Sequence, residues 1–393
     1  MIIHPVRIDE STDATGRKTS ASALVEWKDG KHDLTFRVEN EYADDIVSDR
    51  LDAFVVASIL RAMAAGEDVE VRGAMSARLA LSLQKHWMPI ASKVLPTTKP
   101  VAIRTEVLLS DESKRPKGVA AGYSAGIDSF AVLHDYLFEN PPPGYKITHF
   151  VFNNVGSHGG HTKHYELFQQ RLAAIRPFSD MVGIPIIEVD SNLGSLVPFG
   201  FQASHVPRNA AIPLLLQGLI GRWYYASTYQ YKDCFVGPTY DFAYTDPAAV
   251  HLLSTETLDC ISSGCQYSRV EKTQLAAEHP ETFDVLNVCA GGSRAIAAGG
   301  RNCSTCWKCC RTMFTLELLG SLNHYRRVFD LEAYKRARPG YLFELLLKPH
   351  DSFNSEIIEL ARAKKFRFPR TLIAAAAIGR PMADRLIKMR RRR

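Results

Sequence analysis

Gly122-Tyr123-Ser124-Ala125-Gly126-Ile127-Asp128-Ser129 stands between an apolar run, residues 119–123, and a longer apolar-periodic run, residues 128–138. The first reads as a strand and the second as a helix. A short turn of Gly and Ser between such elements aims several backbone N–H groups at one point, and the helix adds the positive end of its dipole. The segment is thus an anion-binding candidate. Ser124 and Ser129 bring hydroxyl donors, Ala125, Gly126 and Ile127 complete the backbone cradle, and Asp128 holds Mg²⁺ or caps the helix. The bland alternative is a plain turn capped by Asp128.

Outward from this turn the chain alternates between strand-like and helix-like segments. Pro141-Pro142-Pro143-Gly144 stops the first helix. Strands are predicted over 147–152, 185–189 and 234–237, with helices over 164–182 and 208–225. This alternation predicts an α/β fold: a doubly wound parallel sheet with helices on both faces. Ligands in such folds sit beyond the carboxyl ends of the strands, where the Ser124–Ser129 turn falls. Residues 1–115 read as a small α+β domain, with a hairpin at Lys28-Asp29-Gly30-Lys31, strands over 69–72 and 101–109, and helices over 53–65 and 77–92. Residues 111–117 read as a linker. Residues 116–323 form the central domain, and 324–393 a basic helical extension.

Cys303, Cys306 and Cys309 form two C-x-x-C steps in series, with Cys289 upstream after an apolar run. Two-residue gaps let one turn present neighbouring sulfurs to a single ion, and four thiolates make a closed, structural zinc site. Cys310 competes with Cys309 for the fourth place. An iron–sulfur cluster is the rival metal, and chance clustering of reduced thiols is the alternative to any metal.

The chain has 393 residues and a formal net charge of +6, unevenly spread. Residues 326–393 carry 18 Lys and Arg against 7 Asp and Glu, leaving 30 against 35 in the rest. The terminal basic run reads as a solvated end, with weak nucleic-acid contact as the alternative. No secretory signal and no membrane-length apolar run is read, so a cytoplasmic chain with reduced thiols and no membrane partner is expected. His158, His161 and His164 read as a polar loop rather than a metal set, because no carboxylate completes them.

The Ser-Ala-Gly-Ile-Asp-Ser loop resembles the SGGxDS loop of PP-loop ATP pyrophosphatases, departing at Ala125 where the family has Gly. Should that position need a positive φ, Ala125 would strain the loop. Followed by four spaced cysteines, the loop is similar to that of the 7-cyano-7-deazaguanine synthase family, over about residues 118–320. Val206-Pro207-Arg208-Asn209 resembles the family's P-x-R-N element, Phe235-Val236-Gly237 its fourth strand, and Lys272-Thr273-Gln274-Leu275 its Lys-x-x-Ile step. Phe152-Asn153-Asn154-Val155-Gly156 and residues 238–257 depart from it, which points to a divergent branch, some of whose relatives occur in antiphage defence.

The resemblance implies an ATP-dependent ligase. A 7-carboxy-7-deazaguanine-like acid attacks the α-phosphate of ATP, and an amine, from ammonia or a protein, then displaces AMP. It assigns pyrophosphate to residues 124–129, Mg²⁺ to Asp128, phosphate contacts to Lys272 or Arg208, nucleotide contact to Asn209, and zinc to Cys289, Cys303, Cys306 and Cys309. Taken bare, Arg208 and Asn209 read equally well as solvated helix-start residues, and Lys272, beside Glu271, as part of a surface charge cluster. Two other functions stay open: a tRNA sulfur-transfer enzyme, favoured by the basic tail, and a non-catalytic scaffold, favoured by Ala125. The state of association is left open.

Overall fold

Lys28-Asp29 is the two-residue loop between the two longest strands of the N-terminal third, and Gly30, expected at the centre of the turn, instead opens the second strand opposite Trp27 at φ +146°. The computed structural model describes residues 1–13, 16–111, 115–158 and 162–391. Its strands are β1 (Ile2–Ile3), β2 (Arg7–Asp13), β3 (Gly16–Trp27), β4 (Gly30–Glu39), β5 (Val69–Ser76) and β6 (Ile103–Leu109). There follow β7 (Gly118–Gly122), β8 (His149–Asn154), β9 (Ile186–Ser191), β10 (Ile220–Ala226) and β11 (Asp259–Ser263). They form one sheet in the order β11-β10-β7-β8-β9-β4-β3-β1-β5-β6, with β2 on the flank of β3.

The half from β11 to β9 is all parallel. Its order reverses between β7 and β10, which makes the end of β7 the topological switch point where doubly wound sheets bind ligands. One strand differs from expectation. Residues 234–237 do not pair; Phe235 and Val236 are exposed on a loop. The fourth parallel strand is β10, inside the segment expected to be helical. The helix Phe201–Leu215 ends before Gly218, whose missing side chain lets the Asp45 backbone approach: a Cβ there would lie 2.6 Å from the Asp45 carbonyl oxygen. The following Ile, Trp and Tyr residues then favour strand.

The N-terminal segment continues the same sheet, because β4 pairs antiparallel with β9 through Phe36↔Ser191 to Val38↔Val189. The boundary drawn near residue 115 therefore does not interrupt the sheet. The buried pair Lys18–Glu188 at 2.9 Å and the helix Asp52–Ala65, packed on Phe201–Leu215, add to the joint.

Asp52 is fully buried there, accepting from the Ser76 N–H at 2.9 Å and Gln217 Nε2 at 3.5 Å. Burial pushes its carboxyl up to about 6, against the opposing pull of those donors. A carboxyl raised on folding stabilises fully below its unfolded value near 4 and loses that contribution as pH climbs through the folded value. Asp52→Asn keeps an oxygen for Ser76 but cannot ionise. We expect it to gain on wild type between pH 4 and pH 6, levelling off at up to about 3 kcal/mol. Urea unfolding of both proteins from pH 4 to pH 8 checks this; parallel curves would contradict it.

The C-terminal region is not a free tail. Leu331–Leu347 and Ser352–Ala363 pack on the helices Trp307–Leu319 and Arg269–Glu278. Arg338 and the Tyr334 hydroxyl both bond Glu317. The last helix, Arg370–Arg391, holds most of the basic run; Arg392 and Arg393 lie outside the described residues. Among the described residues no helix is long and apolar enough to cross a membrane.

Candidate functional site

The turn after β7 opens a helix, Ile127–Leu133, whose first amides have no acceptor one turn back. Ser124 is exposed at the turn, and Ser129 Oγ donates to the Gly126 carbonyl at 2.8 Å. Ala125 takes the left-handed conformation, φ +53°, and is fully buried. That conformation costs an L side chain roughly 1–2 kcal/mol. The Ala125 carbonyl accepts from the Asn287 N–H at 2.7 Å, which helps hold the turn in this shape. Residue 125 thus sits where the family's second Gly would be unstrained.

Asp128 makes no helix cap. Its Oδ2 accepts from Arg269 Nη2 at 2.9 Å and its Oδ1 from Lys272 Nζ at 3.0 Å. Burial alone would raise this carboxyl; Arg269 and Lys272 outweigh burial and hold it below the usual range. Each oxygen is thus engaged by a cation, which competes with the Mg²⁺ expected at Asp128. Lys272 is wholly buried, and its remaining protons go to the Ser227 and Thr228 carbonyls. It positions Asp128 and does not reach the cavity. Ser268 and Glu271 form a capping box that starts this helix, so Arg269 and Lys272 share one face.

Arg208, expected on the phosphates, does not line the cavity. Its guanidinium is buried and spent on Ser204 Oγ (2.8 Å), the Val155 carbonyl (3.0 Å) and the Phe199 carbonyl (2.7 Å). It holds the loop after β8, where Gly156 leaves room for it. Its neighbour Asn209 does face the cavity, bonded to Asn153 and the His205 carbonyl. Beside it, His205 links the Tyr225 hydroxyl to Asp241 Oδ1.

These groups border a cavity of about 1330 Å³, lined by six Lys and Arg and four Asp and Glu. No family model matches the chain, and no curated protein or solved structure matches it. The chemistry of the site rests on its own residues. Sequence reasoning missed Arg269, Lys308 and Arg311, which line the cavity. Burial, then Arg311 and Arg269, lowers the Lys308 ammonium; burial, then Arg269, lowers Arg311 to about 10. A signal was present: all three lie within a few residues of motifs already singled out. His158 packs against Phe152 and Phe168, with Ser157 on its Nδ1. His161 lies outside the described residues, and the side chain of His164 is not described.

The sulfurs of Cys289, Cys303, Cys306 and Cys309 all lie within 4.8 Å of one another, a cluster that fits a metal ion. A tetrahedron with bonds of about 2.3 Å has edges of about 3.8 Å, and the Cys289–Cys306 pair stands at 3.9 Å. Cys309 belongs to the set; Cys310 turns away toward the Ser304 carbonyl. The Gly291 N–H donates to Cys289 Sγ and the Cys306 N–H to Cys303 Sγ, each at 3.3 Å, which favours thiolate charge. A Cβ at Gly291 would lie 3.2 and 3.4 Å from the Cys289 and Cys303 sulfurs, so the chain hugs the cluster here.

Proposed function

We propose that this chain is an ATP-dependent adenylating ligase that activates a planar carboxylic acid of the 7-carboxy-7-deazaguanine type. The carrying observation is the turn of residues 124–129: it stands at the switch point of a doubly wound sheet and opens on a cation-lined cavity. The cavity exceeds the roughly 300–1000 Å³ of a single small-ligand site, which favours a nucleotide and a second substrate bound together.

In this reading the turn amides and Ser124 receive the departing pyrophosphate, and Arg269 offsets charge gathering on the phosphates. The acid's oxygen bonds to the α-phosphorus as the bond to the β-phosphate oxygen breaks. An amine then attacks the acyl carbon and AMP leaves with the shared electron pair. Zinc in the four-cysteine cluster serves structure and takes no part in these steps. No step is assigned to magnesium at Asp128, whose oxygens are engaged. The sulfur-transfer alternative needs a reactive thiol at the cavity. Outside the cluster, Cys310 is the described thiol lining it, and burial pushes that thiol up to about 12.

Pyrophosphate release from ATP, with 7-carboxy-7-deazaguanine present or absent, tests the reading. Release that requires the acid supports adenylation, and labelled acid then traces the amine acceptor, ammonia or protein. A folded, metal-loaded protein that releases none with this acid would defeat the assignment.

A further inference from the structure

We propose that Arg311, with the Tyr341 hydroxyl, is the receptor for a carboxylate in this cavity; under the ligase reading, it is the receptor for the carboxylate of the acid substrate. Arg311 lies in the second turn of the helix Trp307–Leu319, lines the cavity and is 7 % exposed. Other deeply buried cations of the chain have been neutralised or bonded: Lys18 by Glu188, Lys272 by Asp128, and Arg208 by three oxygens. Arg311 differs. Among the described residues no carboxylate pairs with it, and its Nε is buried without a hydrogen-bond partner. Leaving such a donor unmet costs far more than meeting it, so a site of this kind is built for an incoming acceptor.

The surroundings narrow the acceptor's chemistry. The rings of Phe353 and Trp307 lie 4.4 and 4.9 Å from the guanidinium carbon. Aromatic contacts hold the guanidinium plane and leave its fork of N–H groups for recognition, which suits a planar, bidentate carboxylate. Tyr341, from the helix Leu331–Leu347, also lines the cavity, and its hydroxyl is likewise buried and unmet. Both groups border the same cavity with a buried polar atom unmet, which makes them joint candidates for one acid group. Arg269 is ion-paired with Asp128, whereas Lys308 has no carboxylate partner among the described residues and adds attraction for an anion. Phe353 and Tyr341 come from the C-terminal helices, so that region completes the subsite.

The shared chemistry is an oxyanion, and its source is either a carboxylate or an ATP phosphate. Dissociation constants for three probes separate them: 7-carboxy-7-deazaguanine, its decarboxylated parent 7-deazaguanine, and α,β-methylene ATP. Wild type is expected to bind the acid more tightly than the parent. Arg311→Met keeps bulk between the two rings and is expected to weaken the acid roughly 10- to 100-fold, the scale of a buried charged hydrogen bond. The parent and the ATP analogue should change less than about threefold. Arg311→Lys, which keeps charge without the fork, should recover some of the loss, and Tyr341→Phe should show a smaller loss of its own. Equal binding of acid and parent by wild type overturns the proposal, as does loss of the ATP analogue alone in Arg311→Met. Should Arg311→Met fail to fold, the Lys and Phe variants decide between the same outcomes. Acid binding through Arg311 without pyrophosphate release would sink the ligase reading and leave the receptor standing; release with no acid preference would do the reverse.

Discussion

Asp128→Ala is expected to abolish acid-dependent pyrophosphate release, by on the order of 100-fold or more, and to destabilise the protein at the same time. The two effects have separate origins: Asp128 Oδ2 holds Arg269, the residue proposed to offset phosphate charge, and Oδ1 balances Lys272. Lys272 is wholly buried and, among the described residues, has no other acid bonded to it. Removing one partner of a buried pair leaves an uncompensated charge, a loss of about 3 kcal/mol or more. The activity loss taken alone is therefore ambiguous between chemistry and folding. Asp128→Ala combined with Lys272→Met resolves it, because the orphaned ammonium is gone. The double variant should recover much of the stability in urea unfolding and none of the pyrophosphate release. A double variant that is both stable and active would remove Asp128 from the chemistry. Lys272→Met alone should be milder, since Arg269 still holds Asp128 Oδ2 at 2.9 Å.

That pair also marks how far the sequence could be read. The turn, Asp128 and the Lys272 helix were legible because each is local: a few residues in a row carry the pattern. What Lys272 does was not legible. Its position beside Glu271 suggested a surface cluster or a phosphate contact, whereas the fold buries it against the Ser227 carbonyl. Arg208 misled in the same way, since a helix-start Arg reads alike whether its fork meets a ligand or the Val155 and Phe199 carbonyls. Arg311 was invisible for a related reason. Its meaning lies in the lack of an ion-pair partner for it among the described residues and in Phe353, 42 positions away, laid over it.

At the level of fold, local period carried the β/α alternation from β7 onward but not β10. Apolar residues run from the helix Phe201–Leu215 to that strand with only Gln217 and Gly218 to interrupt them, and periodicity does not distinguish one buried element from the next. Gly218, inside the segment 208–225 expected to be helical, is the boundary, and the approach of Asp45 explains it. The joining of the N-terminal strands was out of reach for a further reason. The β4–β9 pairing links Phe36 to Ser191, and a register across such separation leaves no local trace.

The cysteine cluster was the most legible feature, and it sets the second large effect. Under the proposed zinc assignment, Cys306→Ala should lower metal per chain and cost several kcal/mol of stability, because metal binding in closed sites is folding free energy. The loss should also travel. Asn287, two residues before Cys289, fastens the Ala125 carbonyl and so the strained turn. Arg171, which lines the cavity, bonds the Cys289 carbonyl at 2.9 Å. Once the metal is gone, Cys289 is no longer tethered to Cys303, Cys306 and Cys309, and the left-handed Ala125 loses its support. Binding of α,β-methylene ATP should therefore weaken in Cys306→Ala although Cys306 belongs to the metal cluster and not to the turn. Cys310→Ala is the matched control: equally buried, close in sequence, and turned toward Ser304. It should keep its zinc and its nucleotide affinity, with a cavity cost of about 1 kcal/mol. Zinc lost from Cys310→Ala and retained in Cys306→Ala would show that the fourth ligand had been misassigned, and the link from cluster to turn would fall with it.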